Sequence, residues 1–146
     1  IKKQRQDFLI EKAVELGVTD LHPILTQNTE TRKINEDRVA LQIIEAAEQC
    51  ERLDLPVLHQ ISDVYSITKL KKEMKILAAL ERSDLPYIFN ISLSEDEDIG
   101  FLAGPEGGFT AEECDFIQGD NLFIPVSLGK NILRSETAFL KFLSTF

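Results

Sequence analysis

Two short glycine-bearing turns carry the residues of this sequence that are best suited to hold a ligand. The first turn is GPEGG at residues 104–108, directly after the apolar run at residues 99–103. The second turn is LGKNILR at residues 128–134, shortly after the run LFIPV at residues 122–126. Each has the order strand, glycine turn, helix, in which backbone approaches a ligand beyond the carboxyl ends of parallel strands. Glycine suits this approach because it lacks Cβ and adopts positive φ, which we expect at Gly107.

Three charged residues in or beside these turns could act on a proton or on developing charge. Arg134 could stabilise negative charge on an oxygen or a phosphate through its planar guanidinium group. Glu106 and Glu136 could each accept a proton. Structural roles stay open for all three, since Arg134 could brace a loop, Glu106 could be a solvated turn residue, and Glu136 could interact with the positive end of a helix.

The two turns also carry signals for the start of a helix. Thr110 lies three residues before Glu113, which is the spacing of a capping box and predicts a helix from residue 111. Ser135 is predicted to be the N-cap of the last helix. The chain has no G-x-G-x-x-G and no Walker lysine pattern, and the spacing of the turns alone is typical of ordinary strand-to-helix connections.

Four segments, taken in order, resemble the RsmE family of the SPOUT methyltransferases. They are EKAVELGV at residues 11–18, EAAEQCER at residues 45–52, GPEGGFT at residues 104–110 and LG-x-x-ILR-x-ETA at residues 128–138. The segments span nearly the whole chain. Asn131 departs from the family pattern, because an Arg is expected before ILR.

The resemblance implies a fold and a function that residue patterns alone do not give. Members of the family methylate N3 of a uridine in 16S small-subunit ribosomal RNA, with S-adenosylmethionine as methyl donor, and they are cytoplasmic homodimers. Their fold is α/β, with a mostly parallel sheet and a C-terminal trefoil knot. The resemblance further implies that residues 1–146 form the SPOUT domain, without the PUA-like N-terminal β-barrel of the family.

The reaction that the resemblance implies suggests roles for residues in the two turns and at the ends of the strands before them. Arg134 and Glu136 are expected to be catalytic, with Arg134 acting on a uracil oxygen or a phosphate. The residues expected to bind the cofactor are Leu102, Gly104, Glu106, Gly107, Gly108, Ile124, Leu128, Gly129 and Leu133.

Composition fits one globular domain and argues against a membrane protein. The chain has 146 residues, of which 43% are hydrophobic and 28% charged, and it has no apolar run long enough to span a bilayer. Its formal net charge of −9 opposes RNA binding at long range. The basic clusters at residues 2–5, 32–33 and 69–75, like the acidic run at residues 95–98, are expected to be solvated surface.

Cysteines and histidines are too few to predict a metal site. Cys50 and Cys114 are expected to be reduced, buried thiols. His22 and His59 are also isolated in the sequence, and each is expected to pack at a strand rather than to bind a metal. Two readings without catalysis stay open: a module that binds a nucleotide or RNA, and a dimerisation scaffold whose glycine turns are structural.

Helical and strand patterns alternate along the chain, which predicts a mostly parallel α/β sheet. The predicted helices are residues 4–16, a helix capped by Asn35 that runs to Cys50, and residues 66–74, 111–117 and 136–146. The predicted strands are residues 21–25, 57–61, 76–80, 99–103 and 122–126. Pro23 argues for an edge or strained strand. The stripe Phe139, Phe142 and Phe146 is expected to form core or a dimer contact.

Overall fold

The computed structural model describes residues 3–70, 74–81, 84–94 and 97–145. In chain order, the helices and strands are α1 (Lys3–Glu15), β1 (Asp20–Leu21), β2 (Ile24–Leu25), α2 (Glu36–Gln49), β3 (Val57–Leu58), β4 (Ser62–Asp63), β5 (Lys75–Ala79), β6 (Ile99–Ala103), α3 (Ala111–Gly119), β7 (Phe123–Val126) and α4 (Ser135–Leu143). Short 3₁₀ helices follow β4 and β5, at Val64–Lys69 and Ile88–Asn90. Within the ranges described, helices long and apolar enough to cross a membrane are absent.

A three-stranded parallel sheet carries the carboxyl ends to which both glycine turns are attached. β5 lies in the centre, with β6 on one side and β7 on the other. The prediction of a parallel α/β sheet is therefore confirmed for these strands. β5 is largely buried, whereas in β6 only Leu102 is buried, because β6 lies at the edge of the sheet. Pro125 lies in β7, the other edge, where a missing backbone N–H is tolerated.

Pro23 divides the first predicted strand into two. β1 pairs with β3, and β2 pairs with β4, both in parallel. The predicted strand at residues 57–61 is shorter than predicted, because β3 ends at Leu58, and the strand that pairs with β2 is β4, which begins only at Ser62. The Pro23 carbonyl accepts a hydrogen bond from Ser62 N–H at 3.1 Å, which keeps the two short pairs next to each other.

Side chains of β5 alternate between two cores because successive residues of a strand point to opposite faces. Ile76 and Ala78 join the cluster that packs under α3, and Leu77 joins the cluster with Phe142 of α4. The Phe142 ring stacks on the Phe101 ring at 4.5 Å between centroids, so this part of the aromatic stripe is core. Phe146 lies outside the described residues.

The helices α1 and α2 form a third apolar cluster beside the sheet. Ile10 and Val14 of α1 pack against Val39 and Ile43 of α2. Asn35 caps α2 as predicted, because its side chain accepts a hydrogen bond from Arg38 N–H. This arrangement places the start of α1 next to the first turn.

Two predicted segments fall partly outside the described residues. The predicted helix at residues 66–74 is instead a 3₁₀ helix at Val64–Lys69, and residues 71–73 are not described. The acidic run at residues 95–98 is described only at its last two residues.

Candidate functional site

A cavity of about 820 Å³ lies at the carboxyl ends of β5, β6 and β7. The first turn forms one wall and the second turn forms another. The strands contribute their last residues, for example Ala79 and Ala103, and Arg5 of α1 closes one side. The two turns predicted from the sequence therefore meet in one place, and that place is the end of the sheet where α/β proteins bind ligands.

Most of the residues predicted for the site line this cavity. Those that line it are Gly104, Glu106, Gly107, Gly108, Leu128, Gly129, Leu133 and Arg134. Leu102 and Ile124 do not line it: Leu102 is in the core under α3, and Ile124 packs against the core on the other face of the sheet. Glu136 lies beside the cavity rather than in its wall, with 13% of its side chain exposed.

The first turn is held by a side chain from a distant part of the chain. The side-chain amide of Asn28 donates hydrogen bonds to the carbonyl of Gly107 at 3.1 Å and to that of Gly108 at 3.0 Å. A Cβ added to Gly107 would lie 3.0 Å from the Asn28 Cβ, so glycine is needed there for close approach. The expectation of positive φ at Gly107 is wrong, because it is Gly108 that has a φ of 70°.

Ser135 joins the two turns. Its hydroxyl donates a hydrogen bond to the Gly104 carbonyl at 2.8 Å, and the residue is buried. The prediction that Ser135 caps α4 is wrong, since the helix begins at Ser135 and Arg134 occupies the N-cap position. The hydroxyl bonds across to the first turn instead of to its own helix.

Arg5 of α1 forms ion pairs with both candidate carboxylates. Its guanidinium contacts the Glu106 carboxylate, and its Nε lies 3.5 Å from the Glu136 Oε1. These contacts fix the start of α1 to the glycine turn at residues 104–108 and to the N-terminal end of α4. The expectation that the basic cluster at residues 2–5 is solvated surface is wrong for Arg5, whose partner Glu106 lies 101 positions away in the sequence.

The capping box at the start of α3 also orders the segment that holds the first turn. The Glu113 carboxylate accepts from Thr110 N–H and from Gln27 N–H, both at 2.8 Å, while Glu113 N–H donates to the Thr110 hydroxyl. The predicted capping box is therefore confirmed. Since Gln27 precedes Asn28, the buried Glu113 side chain ties that segment to α3.

The second turn is fixed at its start and exposed in its middle. The Lys141 ammonium of α4 donates to the Leu128 carbonyl at 2.7 Å and to the Tyr87 hydroxyl at 2.8 Å. Gly129 has a φ of 113°, which other residues rarely adopt. Arg134 is exposed, and its side chain makes no hydrogen bond or ion pair with any residue in the described ranges.

Neither cysteine is buried as predicted. Cys50 is exposed at the end of α2, whereas Cys114 is partly buried and lines the cavity. Burial raises the pKa of the Cys114 thiol, and the negative charges of Asp115 and Glu113 raise it further. Cys114 is therefore a protonated thiol near neutral pH.

The two histidines do not lie apart. The His22 and His59 rings stack with centroids 3.9 Å apart, at the ends of β1 and β3. The two histidines are far apart in the sequence, but parallel pairing of β1 with β3 brings them side by side where Pro23 ends the first strand. This cluster is separate from the cavity.

Comparison with known proteins identifies the family of the chain. A family model described as an RNA methyltransferase domain matches residues 1–146. Ribosomal RNA small subunit methyltransferase E of Rickettsia conorii is 34% identical over 139 residues, which cover 94% of this chain and 57% of that protein.

Two solved structures similar to this chain are described as bound to the methyl donor. The first, a putative methyltransferase from Legionella pneumophila in complex with SAM, matches with a TM-score of 0.84 and 30% identity, covering 98% of this chain and 60% of that one. The second, a ribosomal RNA small subunit methyltransferase E from Neisseria gonorrhoeae bound to S-adenosyl methionine, matches with a TM-score of 0.79 and 32% identity and has the same coverage.

The chain spans about three fifths of the length of these relatives. The whole-length match to the family model agrees with the motifs at the two glycine turns and with the cavity between them. The chain belongs to the RNA methyltransferase domain family and, within it, to the RsmE family that its motifs resemble.

Proposed function

We propose that the chain binds S-adenosylmethionine in the cavity between the two glycine turns and transfers its methyl group to N3 of a uridine in 16S small-subunit ribosomal RNA. The observation that carries the proposal is that both turns wall one cavity at the carboxyl ends of the sheet. Its volume of about 820 Å³ lies within the usual range for small-molecule sites. The relatives from Legionella and Neisseria, each described as bound to this donor, support the identity of the cofactor.

The walls of the cavity suit an adenosyl group and a methionine tail. Glycines at positions 104, 107 and 108 let backbone approach closely, while Leu128, Ile132 and Leu133 provide apolar surface. The carbonyls of Gly104, Gly107 and Gly108 already accept hydrogen bonds from Ser135 and Asn28, which keeps the turn in one shape. A preformed site loses little entropy when a ligand binds.

The transfer step places demands on the charged groups at the cavity. When bound, the donor supplies a methyl group from a sulfonium: the C–S bond breaks with its electron pair left on sulfur, and a C–N bond forms at N3. The N3 proton must leave, so negative charge develops on the uracil oxygens. The Arg134 guanidinium lines the cavity and has no ion-pair partner among the residues that the structure describes. It is proposed to stabilise that charge by positioning and electrostatic interaction.

Glu136 and Glu106 are both proposed as acceptors for the N3 proton, one beside the cavity and one in its wall. Glu136 is the first candidate from the family motif, but it lies beside the cavity and pairs with Arg5. Glu106 lines the cavity and pairs with the same arginine. Arg5 is thus proposed to hold both carboxylates in place rather than to touch the substrate.

We extend the proposal to topology, assembly and location. The C-terminal segment is proposed to form the trefoil knot of the SPOUT fold, and the protein is proposed to be a cytoplasmic homodimer. Phe142 is buried in the chain's own core, so the dimer contact must use other residues. Sedimentation at micromolar concentration tests the dimer, and an experimental structure tests the path of the chain through the knot.

RNA docking is proposed to depend on a second module. The net charge of −9 weakens contact with phosphates, which require Lys and Arg. A PUA-like β-barrel, as the family resemblance implies, would supply such contacts. The domain is therefore expected to bind the cofactor without the barrel, and to methylate efficiently, with stronger salt dependence of RNA binding, when the barrel is joined to it.

The decisive experiment separates donor binding from methyl transfer in matched variants. Calorimetry with S-adenosylhomocysteine measures binding, and mass spectrometry of small-subunit RNA measures transfer by protein that includes the β-barrel. We expect Arg134→Ala to lower turnover by roughly 100-fold while changing donor affinity less than threefold, because it acts on charge that develops in the substrate. Arg38→Ala removes the same charge at an ion pair with Asp7, outside the cavity, and should change neither.

Other outcomes point to other functions. Equal loss of affinity and turnover in Arg134→Ala would mean that the arginine braces the cavity. Binding without methyl transfer would favour the nucleotide- or RNA-binding module, and no heat with S-adenosylhomocysteine would favour the dimerisation scaffold.

A further inference from the structure

Three side chains that could bind a metal converge at the ends of β1 and β3. The parallel register sets Asp20 opposite Val57 and Leu21 opposite Leu58, so His22 and His59 follow as the next pair. Asp20 and His22 are two positions apart in an extended segment, and such residues lie on one face of a strand. The ligand atoms of Asp20, His22 and His59 all lie within 4.8 Å of one another.

The contacts within this cluster keep the three groups together. His59 Nε2 lies 2.7 Å from Asp20 Oδ1, and the His22 and His59 rings are stacked with an interplanar angle of 10°. The backbone N–H of His59 also donates a hydrogen bond to the Leu21 carbonyl at 2.9 Å, which holds the His59 backbone against the residue before His22. The cluster is open to solvent, since Asp20 is exposed and both histidines are only partly buried.

We propose that Asp20, His22 and His59 form a binding site for a divalent transition-metal ion, with Zn²⁺ as the best-suited ion. Two imidazole nitrogens and one carboxylate oxygen are a donor set that Zn²⁺ binds, and water can fill the remaining position because the site is open. No part of this site overlaps the cavity at the glycine turns.

To hold an ion, the ligand atoms must move closer together and the two imidazole rings must reorient. Bonds of about 2.1 Å in a tetrahedral site set ligand atoms roughly 3.4 Å apart. The ligand atoms of the cluster lie within 4.8 Å of one another, and the two imidazole rings are stacked almost in parallel. Because the lone pair of an imidazole nitrogen lies in the plane of its ring, the rings must rotate out of this stack, about their side-chain bonds, for both to bind one ion. His59 would exchange its bond to Asp20 for a bond to the ion, and Asp20 would become a ligand.

A bound ion would join two very short strands. β1 and β3 have two residues each, and the ion would link them just beyond their ends. The chain runs from His22 through β2 to Asn28, whose amide holds the first turn. The ion would therefore stabilise the segment that leads to Asn28 without touching the cavity.

Zinc titration of the chelator-treated protein tests the site. A Cys50→Ser, Cys114→Ser background removes thiol binding, and competition against a zinc-sensitive dye gives the affinity. We expect one equivalent of Zn²⁺ to bind with micromolar affinity and to raise Tm. His22→Ala and His59→Ala should each weaken binding more than tenfold, whereas Glu45→Gln, a carboxylate change on the exposed face of α2, should leave it unchanged.

The design also separates a metal site from a plain polar contact. Zinc affinity that is equal in the parent and in both histidine variants would overturn the proposal, as would the absence of zinc binding in the parent. If a histidine variant fails to fold, the imidazole NMR signals of the parent protein test the proposal instead. Zn²⁺ should shift the signals of His22 and His59 together at one equivalent, and unshifted signals would overturn the proposal.

Discussion

The first and second glycine turns wall the same cavity but are held in different ways. The first turn is fixed along its length, by Ser135 at Gly104, by Arg5 at Glu106 and by Asn28 at the last two glycines. The second turn is fixed at Leu128 by Lys141, and then runs through exposed residues, Lys130, Asn131 and Ile132 among them, to the exposed Arg134.

This difference suggests a division of tasks between the turns. A turn whose carbonyls and side chains are already bonded provides a fixed shape for a small ligand, and loses little freedom on binding. A turn whose middle is exposed and unbonded can adjust to a larger substrate and bring a charged group to it. We therefore expect changes in the first turn to affect the cofactor most, and changes in the second turn to affect the substrate.

The largest effect on cofactor affinity is expected from Gly107→Val. A Cβ at this position would lie 3.0 Å from the Asn28 Cβ, so Asn28 must shift, and we expect the shift to weaken its hydrogen bonds to the Gly107 and Gly108 carbonyls. We expect affinity for S-adenosylhomocysteine to fall roughly 100-fold, about 2.7 kcal/mol, by calorimetry. Gly119→Ala at the end of α3, where a Cβ meets nothing within 4 Å, is the control. Unchanged affinity in folded Gly107→Val would contradict a fixed first turn.

A smaller effect is expected where the second turn is anchored. Lys141→Met removes the donor to the Leu128 carbonyl and to the Tyr87 hydroxyl while keeping the length of the side chain. We expect roughly tenfold weaker cofactor binding, the equivalent of one lost charged hydrogen bond. Lys75→Met removes a similar bond, to the Asn121 carbonyl, at the other end of the sheet, and should change stability without changing affinity. Equal loss of affinity in the two variants would mean that Lys141 acts only through stability.

The smallest expected effect compares the two thiols. Cys114 lines the cavity and has a raised pKa, whereas Cys50 is exposed at the end of α2. Since the thiolate is the reactive form, iodoacetamide should modify Cys50 faster, and modification of Cys114 should accelerate as the pH rises. Bound S-adenosylhomocysteine should slow modification of Cys114 several-fold and leave Cys50 unchanged, as followed by peptide mass spectrometry. Protection of both thiols would indicate a general change in stability.

Helices and strands were predicted well where nearby residues determine them, as helix caps and apolar runs do. Asn35 begins α2 and Thr110 begins α3, because each cap bonds an amide three residues ahead. Apolar runs located β5, β6 and β7. Pro23 is the counterexample, because periodicity gave one strand where the missing N–H and fixed φ produced two.

The site was predicted in part, and the site residues that were not predicted are far in sequence from the turn that they contact. Asn28 and Arg5 reach the first turn across 79 and 101 positions of sequence, and no spacing rule applies over such distances. Gly108 rather than Gly107 has positive φ because the turn is closed by Gly108 N–H bonding to Pro105. Leu102 and Ile124 illustrate the reverse case, since strand residues next to a site can point into the core instead.

Pro125 has a consequence for how the molecule behaves at high concentration. Backbone bonds alternate along a parallel strand, and Leu122 and Val126 accept from β5, so Phe123 and Pro125 face the open edge of β7. The Phe123 N–H is bonded to the Asp120 carbonyl, Pro125 has no N–H, and the following Ser127 N–H is bonded to the Pro86 carbonyl. From Phe123 to Ser127 this edge therefore presents no free backbone N–H to a strand of another molecule. This disfavours edge-to-edge aggregation through β7, and it disfavours a dimer that would continue the sheet there by parallel pairing.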